Sequence, residues 1–201
     1  MEAVNKALRR VPPWTLYIMG ALPALWLAAQ TVRGALGVDP VRAIEWSLGL
    51  WALRFLLASL AITPLRWLGL NLIRFRRQIG LIAFAYVLLH LTSWVWLDMG
   101  LRWSQIAGDL VKRWYIIIGM ASLLLMLPLA VTSNNASIRR MGSAAWGQLH
   151  KLAYPAAILA VIHFLMVGKI TTREQLIYAT ILAGLLAWRA VKLGPRRLVL
   201  A

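Results

Sequence analysis

Cysteine is absent from the 201 residues. That removes disulfides, thiolate-held iron–sulfur clusters, covalent haem attachment through C-x-x-C-H and thiol catalysis, and leaves the redox compartment open. Acid is scarce: six Asp and Glu stand against 22 Lys and Arg, a formal net charge of +16. Charged residues make up 14% of the chain, where a soluble domain carries about a quarter. No glycine-rich phosphate loop, no G-x-S-x-G elbow and no H-E-x-x-H pair occurs, so phosphate cradling, serine-hydrolase and zinc-protease chemistry lose their usual signatures. Internal repeats and low-complexity linkers are missing too.

What is present is apolar: 61% of the residues are hydrophobic. Six apolar runs stand at residues 14–30, 43–63, 79–97, 114–131, 147–167 and 175–191. Each has roughly the twenty residues that a bilayer core needs. The expectation is an all-α, polytopic membrane protein with one domain, 1–201, of six transmembrane helices. The first run follows Lys6, Arg9 and Arg10 and ends in Leu27-Ala28-Ala29, which also fits a cleavable leader. Retained, it makes the span number even and puts both termini on one side. The cations sit in the gaps between runs, not on one polar face, which excludes nucleic acid as partner. With the N-terminus inside, the inner segments hold thirteen Lys and Arg, closing with Lys192, Arg196 and Arg197. The outer ones hold seven: Arg33, Arg42, Arg102, Lys112, Arg113, Lys169 and Arg173. The positive-inside rule then places both termini in the cytoplasm. Trp14, Trp46, Trp67, Trp96, Trp114 and Trp146 fall near span ends and read as interfacial anchors.

All three histidines lie in or beside these runs. An ionisable side chain within a span is costly and marks a functional site by default. His90 sits eleven residues beyond Ile79, and His163 thirteen beyond His150. At about 1.5 Å per residue both lie roughly 16–20 Å above the cytoplasmic ends of their helices. Two imidazoles at one level, on spans running the same way, can ligate a haem iron from both sides. Without thioether attachment that haem would be b-type. The competing readings are a structural hydrogen bond across helices and a proton relay. A relay usually includes Asp or Glu, and the span interiors are expected to hold neither.

His150 lies near the cytoplasmic end of the fifth span. Its counterpart in the third span, thirteen residues before His90, is Arg77. Three roles stay open for His150: ligand to a second haem, contact to another electron carrier, or an interfacial side chain without a role. On a straight helix thirteen residues turn about 220° beyond whole turns, so His150 and His163 would not share a face. Pro155 between them removes the hydrogen bond to the Lys151 carbonyl and should kink the helix. Arg54 interrupts the second span and should face protein or a polar ligand rather than lipid. An outer haem in a core of roughly 30 Å leaves a long gap to the cytoplasmic face. Arg74, Arg76, Arg77, His150 and Lys151 would suit a bridging flavin phosphate or semiquinone anion there. For Arg74 and Arg76, contact with anionic membrane lipid is an equal alternative.

The ordered set Ala21-Leu22-Pro23-Ala24-Leu25-Trp26-Leu27, Gly34-Ala35-Leu36-Gly37-Val38-Asp39-Pro40, Ile62-Thr63-Pro64-Leu65, His90-Leu91-Thr92-Ser93, Gln148-Leu149-His150-Lys151 and Ile162-His163 resembles the MsrQ (YedZ) family. These are the haem-binding membrane subunits of bacterial periplasmic methionine sulfoxide reductase systems, within the ferric-reductase-like transmembrane superfamily. The resemblance covers nearly the whole chain. It implies a six-helix electron conduit in the bacterial inner membrane, from a quinone or cytoplasmic flavin reductase to a periplasmic molybdopterin subunit, MsrP. It implies a redox subunit and not the site of sulfoxide chemistry. Superfamily relatives such as the NADPH oxidases carry four histidines and two stacked haems. This chain keeps three, with Arg77 where the fourth would fall, so one haem or two stays open. FMN has been associated with the family, and no motif locates it here. The competing functions are a ferric-reductase-like haem protein serving another acceptor, and a non-redox transporter or assembly subunit.

Overall fold

Helix dominates because the chain offers little else: long apolar runs with no alternation, punctuated by Gly, Pro and Asx signals. The computed structural model describes residues 1–168 and 170–197, the side chains of 193–197 excepted. Lys169 and the side chains of Arg196 and Arg197, counted above among the flanking cations, lie outside the described residues. Ten α-helices occur among those described, and no strand: α1 Glu2–Arg10, α2 Thr15–Val32, α3 Pro40–Trp67, α4 Arg76–Ser93, α5 Trp103–Lys112, α6 Trp114–Val131, α7 Asn135–Met141, α8 Ser143–Leu149, α9 Ala153–Met166 and α10 Arg173–Arg197. Five stretches are long and apolar enough to cross a membrane: Thr15–Val32, Pro40–Trp67, Ile73–Asp98, Trp114–Val131 and Ser143–Met166. These match the first five expected spans. The sixth is helical as α10 but does not join that set. Between Glu174 and Arg189 it has fourteen uncharged residues, about 21 Å of helix against a core of roughly 30 Å.

The chain divides into two compact units, Met1–Lys112 and Arg113–Ala201. In the first, Asp39 starts α3: its carboxylate accepts from Arg42 N at 3.1 Å, with Pro40 at the first helical position. α3 packs antiparallel on α4 through Leu48, Ala52, Ile82 and Tyr86, with Trp51, Phe55 and Val87 against them. Between apolar helices in lipid there is no hydrophobic driving force, so close packing and internal hydrogen bonds hold the pair. α2 joins by both means. Gly20 lets it approach until a Cβ there would stand 2.8 Å from Ile82. The Tyr86 hydroxyl donates to the Gly20 carbonyl at 2.7 Å and accepts from Ala24 N at 3.0 Å. Those two groups would ordinarily bond each other in the helical ladder. The hydroxyl thus sits inside the first span's own hydrogen bonding, beside Pro23, and stitches α2 to α4.

The basic stretch expected to flank the first span folds as α1. Asn5 donates to the Gly69 carbonyl at 2.7 Å and accepts from Asn71 N at 2.9 Å. Arg74 donates to the carbonyls of Leu8 at 3.4 Å and Arg9 at 2.6 Å. The outer stretch 98–113, expected as a loop, carries the short helix α5. Between it and α4 the backbone widens to a π-helical turn, Trp94–Asp98.

In the second unit α6 packs on α9. Ala156 and Ala157 are fully buried, and Ser122 donates to the Ala156 carbonyl at 2.8 Å. Where a kink was expected before Pro155, the α-helical backbone is interrupted. α8 gives way to a 3₁₀ turn at His150–Leu152, and α9 begins at Ala153. Three residues turning about 120° each instead of about 100° reduce the angular mismatch between His150 and His163 from about 140° to about 80°.

Candidate functional site

Each unit seats one histidine, in the last turn of an α-helix, in the same way. In the first, His90 lies in the last turn of α4, and its Nδ1 stands 2.9 Å from the Glu45 carbonyl in the first turns of α3. In the second, His163 lies in the last turn of α9, and its Nδ1 stands 2.7 Å from the Tyr115 carbonyl at the start of α6. A carbonyl only accepts, so Nδ1 donates in both rings, and in the neutral imidazole Nε2 then carries the lone pair. A metal-ligating histidine is held this way, its second nitrogen donating to a fixed acceptor. Both rings are half-buried.

His150 is held differently. Its ring stacks on Trp146 with centroids 3.7 Å apart. Its Nε2 is 3.1 Å from the Thr132 hydroxyl, which itself donates to the Pro128 carbonyl at 2.6 Å. The hydroxyl proton is committed there, so His150 Nε2 donates and its lone pair falls on Nδ1. The Trp146 indole donates to the Thr132 carbonyl at 2.9 Å. Thr132 thereby receives both ring donors, and His150 shows the tautomer opposite to that of His90 and His163. Trp146, expected as a membrane anchor, is an internal partner of this trio. Trp14, Trp67, Trp96 and Trp114 are well exposed, as anchors are.

The cations expected at an inner cofactor divide between the units. Arg74, Arg76 and Arg77 belong to the first; Lys151 belongs to the second with His150. Arg74 holds the C-terminal carbonyls of α1. Arg76 is exposed, while Arg77 and Lys151 are half-buried. Arg54 is half-buried, its guanidinium 4.8 Å over the ring of Trp51 one turn earlier on the same helix, a cation–π contact.

No group of three or more His, Asp or Glu able to hold a metal ion forms among the described residues. A bare ion takes four or more ligands. A porphyrin brings four nitrogens of its own and asks the protein for axial ligands only. Two histidines with Nε2 as the lone-pair nitrogen fit that demand.

Residues 45–161 match the family described as "Ferric reductase like transmembrane component". Proteins of Brucella ovis, Brucella canis and Brucella suis, each named "Protein-methionine-sulfoxide reductase heme-binding subunit MsrQ", are 50% identical over 180 residues, covering 89% of this chain and 81% of theirs. The chain belongs to the MsrQ family. The ferric-reductase match opens on Glu45, whose carbonyl receives His90, and includes His90 and His150.

Within this MsrQ-family chain the sequence reading missed several residues of the site. Glu45 falls inside the second span, so the span interiors are not free of acid. Its carboxyl oxygen Oε1 is buried without a hydrogen-bond partner. Tyr115 contributes a carbonyl, which no side-chain pattern marks. Thr132 and Trp146 escaped because their role depends on how the chain turns between α6 and the 3₁₀ turn at 150–152. Gly49 and Gly119 were visible signals: each is a lone glycine inside an apolar span, a place where glycine weakens the helix.

Proposed function

We propose that the chain is the membrane electron-transfer subunit that delivers electrons through b-type haem to a periplasmic methionine sulfoxide reductase catalytic partner, MsrP. The observation that carries this is the shared seat of His90 and His163, each with Nδ1 within hydrogen-bond distance of a backbone carbonyl, an arrangement that suits Nε2 as the iron-binding nitrogen. The names of the Brucella relatives support the haem and the sulfoxide reductase system. That both histidines serve one iron rests on the sequence: His90 lies eleven residues beyond Ile79, and His163 thirteen beyond His150. When bound, haem supplies one-electron chemistry. Reduction of a sulfoxide to a sulfide takes two electrons and two protons, so the partner draws two single electrons in succession. The chain's own work is to hold the ligands in lipid and to keep them neutral. The donor is a quinone or a cytoplasmic flavin reductase on the inner face. There Arg76 and Arg77 suit an anionic flavin phosphate or semiquinone, while Arg74 is engaged with α1.

The test is the haem absorbance of purified protein. His90→Ala and His163→Ala should each lose most of it. His150→Ala should keep it, because its Nε2 is directed at Thr132. Normal haem content in both of the first two variants ends the proposal.

A further inference from the structure

Gly49 and Gly119 are glycines whose missing side chains leave the space that a histidine ring fills. A Cβ on Gly49 would stand 3.2 Å from both Nδ1 and Cε1 of His90. A Cβ on Gly119 would stand 2.8 Å from Nδ1 and 3.0 Å from Cε1 of His163. In each unit the glycine lies four residues after the carbonyl that receives the imidazole: Glu45 then Gly49, Tyr115 then Gly119. The spacing has a mechanical cause. Helical side chains lean toward the N-terminus, so the side chain at i+4 overlies the turn that contains carbonyl i. That carbonyl already accepts from the N–H of i+4 in the helical ladder. Its second lone pair can be reached from outside the helix only where nothing overlies it. Glycine at i+4 clears the approach. Glycine weakens a helix relative to alanine, so the same sacrifice at the same offset in both units points to the ring it admits.

We propose that Gly49 and Gly119 are positioning residues for the haem ligands, each opening one backbone carbonyl to one imidazole Nδ1–H and so fixing that ring's rotation and its donor strength toward iron. This rests on the ligation proposed above. A hydrogen bond from Nδ1–H makes Nε2 a more basic ligand. A more basic ligand favours ferric over ferrous iron and lowers the reduction potential. Both acceptors are peptide carbonyls, so neither can be lost by changing the side chain that carries it. The glycines are where the arrangement is vulnerable.

The test uses the full chain, purified with its haem. Gly49→Ala and Gly119→Ala are compared with Gly80→Ala, which lies on the His90 helix and whose Cβ would meet nothing within 4 Å. Three quantities are read: haem per protein, the midpoint potential, and the g values of the low-spin ferric haem. Gly119→Ala must push the ring aside, so its midpoint should move positive and its g values should change. Gly49→Ala needs its neighbour to give by only a few tenths of an ångström, so the same shifts should appear smaller. Gly80→Ala should match wild type in all three. Wild-type potential and g values in both seat variants overturn the proposal, as does an unchanged Gly49→Ala if Gly119→Ala cannot hold haem. Failure of the ligation reading looks different: haem would then survive His90→Ala and His163→Ala whatever the glycines do.

Discussion

Gln175 is fully buried, although it is polar and lies in the first turn of α10. Its side-chain oxygen accepts from Thr172 N at 2.7 Å, and its backbone N–H reaches the Thr172 hydroxyl at 3.3 Å. This is a reciprocal capping box at the start of α10. The amide nitrogen of the same side chain donates to the carbonyls of Phe164 and Val167. One residue therefore starts α10 and ties down the end of α9, immediately after His163. Gln175→Ala leaves several buried groups unpaired, at about 1–3 kcal/mol each before relaxation. A net loss of about 2–3 kcal/mol is expected, read as a lower melting temperature in detergent. The pattern Thr172-x-x-Gln175 is a capping signature that the sequence analysis did not use. The histidine seats were only half legible. His90 and His163 stand out because ionisable groups are rare in apolar runs. Their acceptors are main-chain atoms at positions 45 and 115, which have no residue-type signature.

The same contrast holds for elements. Five spans could be read from run length alone, because a bilayer sets a minimum helix length that composition either meets or does not. The break at His150–Leu152 was legible through Pro155, whose missing N–H falls on the Lys151 carbonyl. The π-helical turn at Trp94–Asp98 was not, since nothing in Trp-Val-Trp-Leu-Asp distinguishes it from ordinary helix. Nor was α1. Nine residues are too few to hold a helix in water without tertiary support. α1 has that support from Asn5 on 69–71 and from Arg74 on its last carbonyls. Removing the Arg74 guanidinium should release the C-terminal end of the helix. In Arg74→Ala, amide hydrogen exchange over residues 5–11 should rise several-fold while α3 and α4 stay protected. Unchanged exchange there would show that α1 is held by something else.

For the molecule as a whole, the excess of inner over outer cations sets the proposed direction of electron flow. In that proposal the stretches 31–42, 98–113 and 170–174 face the periplasm. In the proposed topology a partner that docks there would meet the exposed Arg102, Lys112 and Arg113 beside the exposed Asp98, Asp109 being buried, a net basic stretch suited to a transient redox contact. Reversing those three cations to Glu should slow reoxidation of the reduced haem by the partner without changing its reduction. The effect should fade as ionic strength rises, since exposed charges are screened within about 8 Å at physiological salt. Stopped-flow reoxidation at several salt concentrations reads this directly, and equal rates in variant and wild type would place docking elsewhere. The two seats carry a consequence for inheritance. A peptide carbonyl has no codon of its own, so positions 45 and 115 are free to drift between lineages without altering what the imidazole meets. Under the proposed seating, positions 49 and 119 are not free, and relatives that keep both histidines are expected to keep an offset: a glycine one helical turn beyond a residue of any kind.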